Sequence, residues 1–203
     1  MSVFVSELRV LAERQRGLFT VHQAAAYQVT QKALLGATER GLLRRVRRGV
    51  YAFSGTRASA WEPTLAASLA AGGAVSPGAD AAGGARAVIS HRSAAAVHGL
   101  AGIRPGKPEL TMARGTGAKL EGVLIHRPRR ELAGVDLEVR AGVAVTTPLR
   151  TLCDLPAVIG SELLVKVLDE GAIARHWTYP AVLRTLDRIG TSGTPGGALL
   201  RQL

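Results

Sequence analysis

The sequence predicts an α+β fold: an N-terminal winged helix-turn-helix followed by a small mixed α+β domain with antiparallel hairpins. Three observations predict it. The stretch 20–53, TVHQAAAYQVTQKALLGATERGLLRRVRRGVYAF, reads as two short helices, a tight turn and a basic hairpin. From Pro108 the apolar period shifts to that of strands, and from Thr147 it returns to that of helices. The chain of 203 residues carries 26 Lys and Arg against 15 Asp and Glu, a formal charge of +11 that favours a polyanionic partner. Aromatic residues make up only 4%, which suits contact with duplex backbone better than stacking on single-stranded bases.

The first domain, residues 1–57, opens with a helix from Val3 to about Gln15, with Leu8, Leu11 and Ala12 at near-helical spacing. Leu18 and Phe19 form a short strand against the wing. Thr20 caps a helix to about Tyr27, Gln28 and Val29 turn the chain, and Thr30 caps a second helix to about Arg40, because a hydroxyl there accepts from the free first-turn N–H groups. Leu34, Ala37 and Thr38 face inward, leaving Gln31, Lys32, Leu35 and Glu39 outside, and Gly41 ends the helix. In LLRRVRRGVYAF, Leu43, Val46 and Tyr51 point to a core while Arg45, Arg47 and Arg48 point out, with Gly49 near the tip.

The second domain, residues 58–190, begins with a helix from Ala60 to about Ala71, Pro63 lying in its first turn. Residues 72–87 are glycine- and alanine-rich and read as a flexible loop. A short apolar strand then leads to Ser90 as N-cap of a helix to His98, closed by Gly99. Residues 109–113 and 122–127 read as one hairpin across a turn at 114–119, and 135–140 with 143–147 as a second across Ala141 and Gly142. Thr147 and Pro148 open a helix through Asp154; Ser161–Ala174 and Tyr179–Ile189 are amphipathic helices. Residues 191–203 are a Gly/Pro break, a linker or the start of a segment that continues.

The expected DNA-binding residues are Thr30, Gln31 and Lys32 at the start of the second helix, for the major groove, and Arg44, Arg45, Arg47 and Arg48 on the wing, for phosphates. No catalytic set is expected, and no cofactor. Cys153 is the only cysteine, which excludes an intrachain disulfide and a cysteine-rich zinc site. His91 and His98 share a helix face but lack a nearby carboxylate or thiol, so no metal site is expected. Thr147, Arg150, Thr151 and Asp154 read as a capped helix with an i, i+4 Arg150–Asp154 pair. The N-terminus lacks a basic leader and the apolar runs are too short to span a bilayer, so a soluble, cytoplasmic protein with no membrane partner is expected.

Three stretches, 20–53, SHRSAAAVHGL (90–100) and VAVTTPLRTLCDL (143–155), together resemble the AbiEi-type antitoxins of type IV toxin–antitoxin systems, especially their actinobacterial branch. The resemblance spans about Leu11 to Leu186. It implies a winged helix that binds inverted repeats in its own promoter, and a C-terminal α+β domain that counteracts a nucleotidyltransferase toxin without a stable complex. The family's basic residues fall here on Gln31 and Lys32 and on the four wing arginines, and the helix of Thr147, Arg150, Thr151 and Asp154 becomes a candidate carrier of the antitoxin function. The chain departs from the pattern at Leu35 and Gly36, where relatives carry polar residues, and a glycine inside the helix costs about 1 kcal/mol relative to alanine. Some relatives continue into a Vsr-like endonuclease domain. A stand-alone winged-helix repressor, or the DNA-targeting part of such a nuclease fusion, is therefore the alternative.

Overall fold

A computed structural model describes residues 3–76, 81, 85–113, 120–128, 130–190 and 197–202. The turn expected at 114–119, much of the 72–87 loop and residues 191–196 lie outside the described residues.

The N-terminal part runs α1 (Val3–Arg14), β1 (Leu18–Thr20), α2 (Val21–Ala26), α3 (Gln31–Glu39), β2 (Leu43–Arg47) and β3 (Val50–Phe53). This is the order of a winged helix, with a three-stranded antiparallel sheet in the order β1-β3-β2. The local signals act as expected. Thr20 and Gln23 form a reciprocal capping box, Thr30 Oγ1 accepts from Ala33 N at 3.2 Å, and Gly41 takes φ +72°.

The sheet is buried on both faces. Phe19, Leu43 and Tyr51 pack with Leu8, Ala24 and Leu34 under the helices. Leu18, Val50 and Ala52 pack the other way, with Val46 beside them, onto α4 (Glu62–Ala70). Ordinary alternation sends Leu43 and Val46, three residues apart, to opposite faces and so to different cores, and a register shift between Arg45 and Arg47 sets Arg47 opposite Val50, on the side of the second core.

That second core continues into a five-stranded sheet of β4 (Ala87–Ile89), β5 (Glu109–Met112), β6 (Leu124–His126), β7 (Leu137–Arg140) and β8 (Val143–Thr146), ordered β6-β5-β4-β8-β7. β7 and β8 form the expected hairpin. The other expected hairpin is corrected: β5 and β6 pair in parallel, Thr111 beside His126. A hairpin joins strands through a short turn, whereas the connection 113–123 is long enough to carry the chain back to the start of β5, where Leu124 N donates to Pro108 O at 2.8 Å. Glycine spacing marked the connection but not its direction.

α5 (His91–His98) packs against β5, α6 (Pro148–Asp154) packs on α5, and α7 (Ser161–Ile173), α8 (Tyr179–Ile189) and a short α9 (Gly197–Gln202) complete a helical layer beyond them. Leu152, Leu155, Leu164, Leu168, Trp177 and Leu186 fill the helical core. Trp177 lies over Gly171, where an added Cβ would stand 2.0 Å from the ring, and donates from Nε1 to Leu168 O at 3.1 Å. Gly171→Ala should therefore destabilise by about 1–3 kcal/mol, despite the better helix propensity of alanine. Urea denaturation followed by tryptophan emission checks this; a net stabilisation contradicts it. Among the described residues no helix is long and apolar enough to cross a membrane.

Candidate nucleic-acid interface and the cavity of the second half

Gln28, at φ +58°, makes the turn between α2 and α3. Leu34, 2% exposed, then fixes the rotation of α3 by packing with Leu43 and Tyr51. Thr30, Gln31, Lys32 and Leu35 are left exposed on the outer face, as the spacing required.

Arg45 pairs with Tyr51 in register, so it shares the strand face of Leu43, the face that meets α3. Arg48 stands at the tip beside Gly49, whose φ of +76° closes the turn. Both are exposed, and among the described residues neither has an acidic partner. Arg44 and Arg47 depart from expectation. Arg44 lies on the opposite face, where it donates to both carboxylate oxygens of Glu62 at 2.8 and 2.6 Å. That bond raises its already high pKa. Arg47 Nη2 donates to Glu121 O, tying the wing tip to the segment before β6. A cleft of about 800 Å³ lies between the tip and α4, lined by His22, Arg47, Arg48 and Glu121 among others. The four-arginine wing thus becomes two outward cations, Arg45 and Arg48, and two that fasten the wing to the second half. Elsewhere Arg9 sits over the Phe53 ring at 4.7 Å and Arg16 over Trp61 at 4.2 Å.

The four residues singled out on α6 are turned inward. Thr147 Oγ1 accepts from Arg150 N at 3.3 Å as the N-cap. Thr151 is fully buried and bonds Thr146 at 2.7 Å. Arg150 donates from Nε to both oxygens of Asp154 at 3.1 Å, the expected i, i+4 pair. It also reaches Asp136 at 3.2 Å, a residue the sequence did not flag. Asp136, 1% exposed, accepts in addition from Arg188 at 3.0 and 2.5 Å and from Ala133 N at 3.0 Å. Burial acts to raise the Asp136 pKa, but Arg188, the Ala133 N–H and Arg150 outweigh it and hold the carboxyl below its ordinary value. For Asp154 burial wins over Arg150 and pushes the carboxyl up to about 6.

These groups line a cavity of about 440 Å³ between the sheet and the ends of α6 and α8. Its sheet-side wall holds His91, Thr111 and His126. Cys153, on the α6 side, has its thiol pushed up to about 12, chiefly by burial, and is unreactive. His91 and His98 do not act as a pair. His98 Nε2 bonds Thr146 O at 2.7 Å, whereas the His91 ring stacks on His126 with centroids 3.5 Å apart and planes 13° from parallel. Burial and the neighbouring His126 press the His91 pKa down to about 3, so it is neutral at physiological pH.

Residues 6–54 match the family described as transcriptional regulator, AbiEi antitoxin. No curated protein matches the chain. Among solved structures, the crystal structure of the RV2827C protein from Mycobacterium tuberculosis is similar over 98% of this chain and 74% of that one, with 19% sequence identity and a TM-score of 0.49.

Proposed function

We propose that this chain, whose N-terminal segment carries the winged helix of the AbiEi antitoxin regulators, is a DNA-binding antitoxin that represses its own promoter and counteracts a nucleotidyltransferase toxin. The observation that supports the reading best is the outward α3 face of Thr30, Gln31 and Lys32 beside the exposed Arg45 and Arg48. In the major groove Gln31 can pair bidentately with adenine and Lys32 can donate to guanine, while Leu35 offers an apolar contact to a thymine methyl. Arg45 and Arg48 neutralise flanking phosphates. The second half supports these elements, because the wing sheet shares a core with α4, where Glu62 also holds Arg44, and Arg47 ties the wing tip to Glu121.

Thr147, Arg150, Thr151 and Asp154 act as scaffold in this proposal, since their polar atoms are engaged within the fold. Contact with or antagonism of the toxin falls to other, exposed residues of the second half.

Two assays test the proposal. In gel shifts against the chain's own upstream DNA and against scrambled duplexes, Gln31→Ala should narrow the preference for the upstream sequence while leaving non-specific binding unchanged. Each lost bidentate base contact is worth about 1–3 kcal/mol of discrimination. Co-expression with a nucleotidyltransferase toxin encoded next to this chain should restore growth. No preference for upstream DNA, or no rescue by the unaltered chain, contradicts the corresponding half of the proposal.

A further inference from the structure

Glu109, His91 and His126 come from a strand, a helix start and a neighbouring strand, and the fold brings them together. One ligand-capable atom from each lies within 4.8 Å of the other two. We propose that these three side chains hold a divalent first-row transition-metal ion of the zinc class, with one coordination position open to the cavity. The site is separate from the DNA-binding elements and does not depend on them.

The donor chemistry fits such an ion: two imidazoles and one carboxylate are a ligand set that zinc accepts with a further position left for water or another ligand. His126 Nε2 and Glu109 Oε2 are 2.9 Å apart, within about 0.4 Å of the roughly 3.3 Å between two tetrahedral ligands each about 2.0–2.1 Å from one ion. Both imidazoles line the cavity, while the Glu109 side chain is 1% exposed and lies behind them.

The surroundings orient the ligands. His91 Nδ1 bonds Ser90 Oγ at 2.9 Å, which leaves Nε2 as its ligand atom, and Ser90 Oγ accepts in turn from Thr111 Oγ1 at 2.8 Å. Arg92 Nε donates to the other Glu109 oxygen at 2.6 Å, and Glu109 N donates to Ser93 Oγ at 2.9 Å. Such outer-shell bonds fix ring orientation and hold a ligating carboxylate in place. His91 itself sits at φ +51°, a left-handed conformation that a non-glycine residue rarely adopts and that recurs at functional sites.

Without an ion, the ion pair with Arg92 balances the Glu109 charge and His126 donates it a hydrogen bond. Metal loading replaces the His126–Glu109 hydrogen bond with two coordinate bonds. It also turns the imidazoles out of their parallel stack, because ring nitrogens coordinate in the plane of the ring.

The tag-free full chain, stripped with a chelator, is titrated with Zn²⁺ by calorimetry and the retained metal counted after gel filtration. One equivalent is expected. His126→Gln, on the most accessible ligand, should weaken binding by about 100-fold or more, and Ser90→Ala by about 10–100-fold. His176→Gln, at an exposed histidine, should change nothing. Co²⁺ added to the unaltered chain should give visible d–d bands that His126→Gln abolishes, a readout that does not depend on stability. Retention of no Zn²⁺ by the unaltered chain, absence of those bands, or equal affinity in folded His126→Gln overturns the proposal.

Discussion

Arg45→Ala combined with Arg48→Ala is expected to weaken binding to every duplex, upstream or scrambled, by about 10–100-fold near physiological salt, at about 1 kcal/mol or somewhat more per charge-assisted phosphate contact. The loss should be uniform across sequences because phosphates carry no base information. The physical reason lies in where the wing directs its cations. Arg45 occupies the strand face that meets α3, and Arg48 occupies the tip; neither has an acidic partner among the described residues. Arg44→Ala is the informative contrast. Its guanidinium is held by Glu62, and a partly exposed pair of this kind contributes little to stability. Its removal should therefore leave both fold and DNA affinity nearly unchanged. Fluorescence anisotropy on two unrelated duplexes measures all three proteins; a double variant that loses affinity for only one duplex contradicts the assignment of these residues to phosphates.

Asp136→Asn should be the most damaging single substitution in the second half, costing about 3–5 kcal/mol. It removes the anion that faces Arg150 and Arg188 and leaves their charges without full compensation. The pH dependence follows from the direction of the shift. Asp136 is held below its ordinary value of 3.8, so its stabilisation is complete above that value. It is lost as pH falls through the still lower folded-state pKa. The gap between wild type and Asp136→Asn in urea denaturation should thus be constant from pH 5 to 8 and close only in stronger acid.

Asp154 has the opposite sign. Its folded-state pKa of about 6 lies above 3.8, so its contribution is present at low pH and diminishes as pH rises from about 4 to 6. Asp154→Asn should accordingly gain on the wild type across that window, by roughly 3 kcal/mol for a two-unit shift. Parallel stability curves for wild type and Asp154→Asn contradict that sign.

Much of the winged helix was legible because its signals are local. Thr20, Thr30, Gly41 and Gly49 each act on backbone within a few residues, and the spacing of Leu34 against Gln31 and Lys32 already gave the orientation of α3. The same holds for Gly99 and for Thr147 with Pro148. Arg44 and Arg47 were misplaced because their partners, Glu62 and Glu121, are distant in sequence and nothing local announces them. A bulge between Arg45 and Arg47 also turned Arg47 from the outward direction that the alternation had given it.

The histidine-carboxylate cluster was missed for a related reason. A hairpin over 109–113 and 122–127 would also have set His126 near Glu109; what nothing local announces is His91, which joins the two only when α5 packs against β5. Asp136 escaped notice likewise: its two arginines lie on α6 and α8, and only the packing of α8 onto α6 unites them.

The most direct test of the two-cation wing is the salt dependence of binding to one duplex, measured for wild type, Arg45→Ala/Arg48→Ala and Arg44→Ala. Each phosphate neutralised contributes about 0.9 to the slope of log K against log salt. The double variant should lose about 2 from that slope, while Arg44→Ala keeps the wild-type value. Equal slopes for wild type and the double variant, or a loss on Arg44→Ala as large as that of the pair, would mean that the wing does not grip the backbone through Arg45 and Arg48.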